Sequence, residues 1–352
     1  MPVSVVVGGQ YGSEGKGKVV AHLSSKVRSP WLVRCGGPNS GHTVTFNGES
    51  LILRQVPSSH DPVSSIFCIA AGCVIDESLL LNELELLEID QTRIMVDPRA
   101  VVVTESDRLQ EAEMLRGIGS TFSGTGGALM RRMARRGGVL LAEHSAQIRE
   151  RCQIESVAPA LHSALQRGEH IIIEGTQGFG LSLLHGPHYP YVTSRDTTAS
   201  GFASEVGLSP RAIDEVVMVI RTYPIRVGGN SGPLAEEITW DDVRIESGAP
   251  ETISEFTSVT RKIRRVAHFD LEAVRTACAY NRPTSLAVMG MDRLDFANHR
   301  VANWSQLTDK AKRFILSLEE ATETPVSLVG TGFATTDAVN VEVSRRAVSY
   351  AR

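Results

Sequence analysis

The stretch Gly8-Gly9-Gln10-Tyr11-Gly12-Ser13-Glu14-Gly15-Lys16-Gly17-Lys18 constrains this chain more than any other. It follows the β-branched run Val3 to Val7, which suits a strand covered on both faces of a parallel sheet, and it leads into a helical pattern over residues 16–26. Glycines placed between a buried strand and a helix let backbone N–H groups curl around phosphates. The helix N-terminus adds positive potential there. The loop varies the common phosphate-loop pattern: Gly12, Gly17 and Lys18 are in place, but Val19 stands where a Ser or Thr magnesium ligand is expected. Two lysines among the glycines favour anion binding over a turn that needs glycine for backbone reasons alone.

The strand and helix patterns keep alternating. Strands are predicted at residues 31–34, 100–103, 170–174, 216–220, 285–288 and 326–329, and helices at 77–88, 156–166, 271–280 and 306–318. This alternation predicts an α/β fold with a large, mostly parallel central sheet flanked by helices. With 352 residues, 42% of them hydrophobic, the chain can bury a substantial core. No internal repeat or Pro/Ser-rich linker divides it, so residues 1–352 are expected to form a single domain. The glycine-punctuated stretch 117–138 and the polar span 228–255 interrupt the alternation, as functional loops do.

Charge and composition exclude some partners. A net charge of -4 lacks the basic footprint of a nucleic-acid binder, so an anionic ligand must be held by local charge. The apolar start MPVSVVVGGQ has neither the basic flank nor the cleavage site of a signal peptide, and no stretch reaches membrane-spanning length. Five scattered cysteines without metal-ligand pairing fit reduced thiols in a cytoplasmic protein.

The glycine-rich loop resembles the signature of the adenylosuccinate synthetase family, Gly-x-Gln-aromatic-Gly-Asp-Glu-Gly-Lys-Gly-Lys. Further motifs agree in order: Asn39-Ser40-Gly41-His42-Thr43, Glu174-Gly175-Thr176-Gln177-Gly178 and Tyr189-Pro190-Tyr191-Val192-Thr193-Ser194. Residues 119–137 match the family's mobile nucleotide-binding segment less closely, and the resemblance runs over residues 3–332. It implies a magnesium-dependent ligase that moves a nucleoside triphosphate's γ-phosphoryl to O6 of a purine nucleotide, after which L-aspartate displaces it. By resemblance, Lys16 neutralises the transferring charge, His42 is the acid beside the phosphoryl group, Gln177 polarises the purine edge, and Ser13 and the Gly41 carbonyl face the metal. Asn39, Thr121, Thr193 and Val227 resemble the nucleotide-substrate set, and Arg135 the arginine supplied by a second subunit, which implies a homodimer. Gly12, Glu14, Gly15, Lys16, Gly17, Lys18, Thr43, Asp292, Gly330 and Gly332 resemble the triphosphate-donor set. The run 257–265 resembles the aspartate loop, with Val259, Thr260, Lys262 and Arg264 in register; Lys262 stands where the family has arginine, whose planar fork pairs better with carboxylates.

Two departures bear on the substrates. Ser13 replaces the aspartate that takes the N1 proton of IMP in ordinary members, and serine is no such base unaided. Lys16, His42 and Gln177 are all retained, which argues against a decayed enzyme. A hydroxyl leaves room for the 2-amino group of guanine and accepts its N–H, a contact of about 1–2 kcal/mol. The serine form resembles the phage branch of the family that acts on dGMP in 2-aminoadenine DNA synthesis. In the second departure, Gly290 stands where a lysine flanks the guanine of GTP, so ATP or dATP is the expected donor, with Asp292 retained. Three alternatives stay open: an ordinary family member using IMP and GTP, a nucleotide-binding regulator without catalysis, and a generic phosphate-loop GTPase, which leaves the later motifs unexplained.

Overall fold

The first strand is fully buried along its length because valines alternate with nothing polar larger than Ser4. In the computed structural model, which describes residues 3–46, 48–135, 137–252, 254–257, 262–341 and 344, this strand lies in the middle of a ten-stranded sheet. We number the sheet strands in chain order: β1 (Val3–Gly8), β2 (Trp31–Arg34), β3 (Ile66–Ile69), β4 (Ile94–Val96), β5 (Gln153–Ile154), β6 (Ile171–Glu174), β7 (Glu215–Arg221), β8 (Ser285–Met289), β9 (Val326–Gly330) and β10 (Ala338–Asn340). Across the sheet they run β10-β9-β8-β7-β1-β6-β2-β3-β4-β5. Neighbours pair in parallel throughout, except β9 with β10. The expected large, mostly parallel sheet flanked by helices is the observed fold.

Parallel pairing has a direct consequence for function. The segments leaving β1, β2, β6, β7, β8 and β9 all emerge at one carboxyl edge, where open α/β sheets bind ligands. The glycine-rich loop, the His42 segment, the Gln177 segment and the Asp292 segment therefore start from adjacent strand ends.

Some expectations need correction. The predicted strand at 100–103 forms as Val101–Val102, but it pairs with Val74–Ile75 outside the main sheet. There Val74, Val101, Val103 and Ala128 bury one another in a small separate cluster. The stretch 117–138 contains a helix, Thr125–Met133 (α-helix), whose Gly126 N–H is capped by the Glu111 carboxylate at 2.8 Å. Gly127 is required by packing, since a Cβ there would lie 2.3 Å from the Asp107 carbonyl. The span 228–255 contains a second helix, Trp240–Ser247, opened by a Thr239/Asp242 capping box and closed by Gly248 at φ +71°. The helix predicted from 306 begins at Asp309 instead, because the Thr308 side chain accepts from Ala311 N–H and sets its start.

Candidate active site

The helix Lys16–Ser24 (α1) begins behind Gly15 at φ +99° with no side-chain cap, so its first-turn N–H groups point into the carboxyl-edge cleft. The loop before it is held open by Glu14. Its carboxylate accepts from Gly12 N–H (2.8 Å), Gln10 N–H (3.2 Å) and the Lys16 ammonium (2.6 Å). Lys16 also donates to the Gln177 carbonyl, and both charged side chains are buried. Ser13 at φ +58° and Gln177 at φ +59° occupy the left-handed region, a strain typical of functional sites. The Gln177 amide oxygen lies 3.5 Å from where a Cβ on Gly12 would be, so loop and amide face each other.

His42 opens the hairpin His42–Phe46/Glu49–Leu53 and packs against α1, where a Cβ on Gly17 would come 3.1 Å from its own Cβ. Its Nδ1 lies 2.6 Å from Glu174 Oε1. Arg34, paired in register with Glu174 across β2 and β6, donates from Nη1 to Glu174 Oε2 at 3.0 Å and sits 2.7 Å from His42 Nδ1. Burial, reinforced by the Arg34 charge, pulls His42 down to a pKa of about 4 against the pull of Glu174. Burial alone would raise the Glu174 carboxyl, but His42 and Arg34 outweigh it and hold the group well below the usual carboxylate range. A neutral imidazole beside a carboxylate is assigned the Nδ1–H tautomer, which leaves Nε2 to accept from the Ser40 hydroxyl at 3.2 Å.

On the other flank, Lys18 donates to the carbonyls of Gly332 (3.0 Å) and Asp337 (2.6 Å). Burial lowers its pKa to about 8, with Asp337 and Asp292 opposing. Asp292 is buried at the start of Met291–Leu294, behind Gly290 at φ +81°, with His299 Nδ1 3.6 Å away. Met289 fills the gap between the two glycine segments: a Cβ would lie 3.1 Å from its Cγ at Gly15 and 2.5 Å from its Sδ at Gly330. The structure thus gathers Gly12, Glu14, Gly15, Lys16, Gly17, Lys18, Asp292, Gly330 and Gly332 at one end of the cleft.

The remaining expected residues are less tightly gathered. Asn39 and Gly41 are half-buried on the turn between β2 and the hairpin, and Thr43 lies within the hairpin. Thr193 N–H donates to the Leu181 carbonyl at 2.7 Å, and Leu181 borders Gly12. Thr121 donates to Ser123 Oγ at 3.3 Å, while Gly119 N–H donates to the Asn230 carbonyl at 2.7 Å, tying this segment to the loop after Val227. Arg135 stands apart, exposed beyond the helix Thr125–Met133 at φ +52°. Lys262 and Arg264 sit on one limb of a hairpin stem in which Thr257 N–H donates to the Lys262 carbonyl and Arg264 N–H to the Glu255 carbonyl, each at 2.8 Å. Val259 and Thr260 lie outside the described residues. Among the described residues no three His, Cys, Asp or Glu side chains cluster as metal ligands, and no helix is long and apolar enough to cross a membrane.

The structure adds residues that the motifs did not single out. Arg34 was legible as a charge ending an apolar strand, and its partner Glu174 opens the motif at residues 174–178 without a role assigned to it there. Arg221 ends β7, and its backbone is clasped by the Gln10 amide, with N–H to Oε1 at 2.9 Å and Nε2 to the carbonyl at 3.1 Å. Arg226 is buried with its guanidinium 4.5 Å above the Tyr11 ring, donating to the Tyr191 (2.9 Å) and Pro233 (2.7 Å) carbonyls.

The comparisons with known proteins agree with this fold. The family profile described as adenylosuccinate synthetase matches residues 5–150 and 139–301. The adenylosuccinate synthetase of Methanocaldococcus jannaschii is 38% identical over 336 residues, 94% of each chain. That of Archaeoglobus fulgidus is 37% identical, covering 94% of this chain and 96% of its own. Fully ligated adenylosuccinate synthetase from Plasmodium falciparum superposes with a TM-score of 0.84 at 20% identity, over 97% of this chain and 100% of its own, and speaks to the fold alone. The cyanophage S-2L succinoaminodeoxyadenylate synthetase (PurZ), solved bound to dGMP and dATP as an energy donor, superposes with a TM-score of 0.80 at 27% identity over 99% of both chains. With its phosphate-loop variant, its ordered motifs and these full-length relatives, the chain belongs to the adenylosuccinate synthetase family of C–N ligases.

Proposed function

We propose that this ligase joins L-aspartate to carbon 6 of dGMP, hydrolysing ATP or dATP, to form 2-amino-2'-deoxy-N6-succinyl-AMP. The observation that carries the reading is Ser13 in an otherwise intact loop. The one carboxylate there, Glu14, has Oε1 committed to two backbone N–H groups and Oε2 to Lys16, so it does not replace the missing aspartate. A hydroxyl at position 13 leaves space for an exocyclic amine at carbon 2 and accepts one of its hydrogens.

In this reading Lys16 and the first-turn amides of α1 neutralise the transferring phosphoryl group, and the Gln177 amide reads the purine edge. His42 meets the phosphoryl through Nε2, and the negative charge of bound phosphates opposes the burial that, with the Arg34 and Lys16 charges, keeps the imidazole neutral in their absence. Magnesium fits the donors at hand: the Ser13 hydroxyl and the Gly41 carbonyl are hard oxygens, too few to hold the ion without phosphate oxygens. Bound there, it supplies charge neutralisation to the transfer. Lys262, Arg264, Val259 and Thr260 receive aspartate; Asn39, Thr121, Thr193 and Val227 receive the monophosphate nucleotide. Arg135, exposed beyond its helix, reaches a neighbouring subunit's site in a homodimer. Gly290 and Met289 replace a lysine-flanked guanine slot, which favours an adenine donor.

The archaeal relatives named adenylosuccinate synthetase favour a second reading, in which IMP is the substrate and GTP the donor. Crossing dGMP, GMP and IMP with ATP, dATP and GTP in the presence of aspartate, with phosphate release as the readout, separates the two. The proposal requires dGMP with an adenine donor to be the fastest pair. IMP with GTP as the fastest pair would establish the second reading.

A further inference from the structure

Ser13 is tied to the aspartate loop by a half-buried ion pair that the reaction chemistry does not use. Arg221 Nη1 donates to the Ser13 carbonyl at 3.0 Å and to Glu255 Oε2 at 2.9 Å, while Nη2 donates to Glu255 Oε1. Both carboxylate oxygens of Glu255 are therefore taken by one guanidinium, in the bidentate geometry that fixes direction as well as distance. The same Glu255 begins the hairpin stem of the aspartate loop: its carbonyl accepts from Arg264 N–H at 2.8 Å, and the Arg264 Nε donates to the Phe256 carbonyl at 3.2 Å. Phe256 and Ile263 form the next rung, and Thr257 with Lys262 the one beyond. At its other end the Arg221 backbone is anchored, because the Gln10 amide holds both its N–H and its carbonyl, and the guanidinium is left to follow Glu255. A rigid path thus runs from Lys262 and Arg264, through Glu255 and Arg221, to the backbone of a residue whose φ of +58° is held away from the common regions.

We propose that Arg221 and Glu255 are a positioning pair that sets Ser13 by the state of the aspartate loop, so that seating aspartate tightens the grip on the purine nucleotide. Neither residue touches substrate. The pair acts by moving the Ser13 carbonyl and with it the hydroxyl facing the purine. This inference rests on the reading of Ser13 as the residue beside the purine edge. It does not depend on which purine is bound.

The test is calorimetric titration of dGMP into the protein with a non-hydrolysable ATP analogue, with and without saturating L-aspartate, for the wild type, Glu255→Gln and Arg221→Lys. The wild type is expected to bind dGMP about tenfold tighter with aspartate present. Both variants are expected to bring that ratio close to one while leaving affinity for the ATP analogue unchanged, a selectivity that general loosening of the fold would not give. A wild type without aspartate-linked tightening, or a Glu255→Gln protein that keeps it, overturns the proposal. Should one variant fail to fold, the other carries the comparison, and a wild type without tightening overturns the proposal on its own. If the wild type turns over IMP and not dGMP, the substrate reading falls, and the same titration with IMP still judges the pair.

Discussion

The buried imidazole of His42 and the buried carboxylate of Glu174 meet at 2.6 Å, with the Arg34 guanidinium bound to the far carboxylate oxygen. The pairing fixes which ring nitrogen faces the cleft. Replacing Glu174 by Ala is expected to lower kcat at least about 100-fold, the usual worth of a positioned acid. It also strands Arg34 without its counter-ion, at a cost of about 3–5 kcal/mol. Glu174→Gln keeps an acceptor for Nδ1–H and is expected to retain more activity than Glu174→Ala. Steady-state kinetics with urea unfolding of each variant checks both effects; equal activity in the two variants would show that the hydrogen bond does not matter.

Acid should loosen the fold before the carboxylates titrate. His42 and His22 are both held near a pKa of about 4 by burial, below the ordinary value of 6.5. The unfolded chain therefore binds protons that the folded chain refuses. Their contribution to stability is whole above pH 6.5 and is lost as pH falls toward 4, at about 1.4 kcal/mol per pH unit for His42 and less for the more exposed His22. Glu174, whose folded pKa is depressed, joins the loss only below the usual carboxylate range. Urea midpoints at pH 7, 6 and 5 are expected to fall steadily, and a flat series contradicts the assignment.

Restoring the carboxylate should redirect the substrate. Ser13→Asp is expected to raise kcat/KM for IMP and lower it for dGMP, by about tenfold in the ratio, since a carboxylate takes the N1 proton but crowds a 2-amino group. An unchanged ratio would mean that position 13 does not select the purine.

Arg135 is exposed, in contrast to the buried Lys16 of the phosphate loop. If it completes a neighbour's site, Arg135→Ala and Lys16→Ala proteins, each inactive, should regain activity when mixed and allowed to exchange subunits. A random mixture restores about a quarter of the sites. No recovery in a mixture shown to exchange would place Arg135 outside the reaction.

Much of this was legible where one strong local pattern did not depend on distant partners. The valines of β1 were legible as a buried strand, and the glycine-rich loop and the motifs at residues 39–43 and 174–178 each lie at or beyond the carboxyl end of one. The short strands β3, β4 and β5 carry too few residues for a period to show. The helix Thr125–Met133 was hidden by Gly126 and Gly127, which propensity reads as a loop, although packing against Asp107 requires glycine at 127. That His42 pairs with Glu174 and Ser13 with Arg221 was invisible for another reason. Glu174 is separated from His42 by 132 positions and Arg221 from Ser13 by 208, and only the sheet order brings them together.

The most direct test sets equal dGMP and IMP against each other in one reaction with ATP, magnesium and aspartate, and weighs the products by mass spectrometry. The account predicts that the succinyl adduct carrying the 2-amino group and deoxyribose dominates. A product mass belonging to adenylosuccinate alone contradicts it.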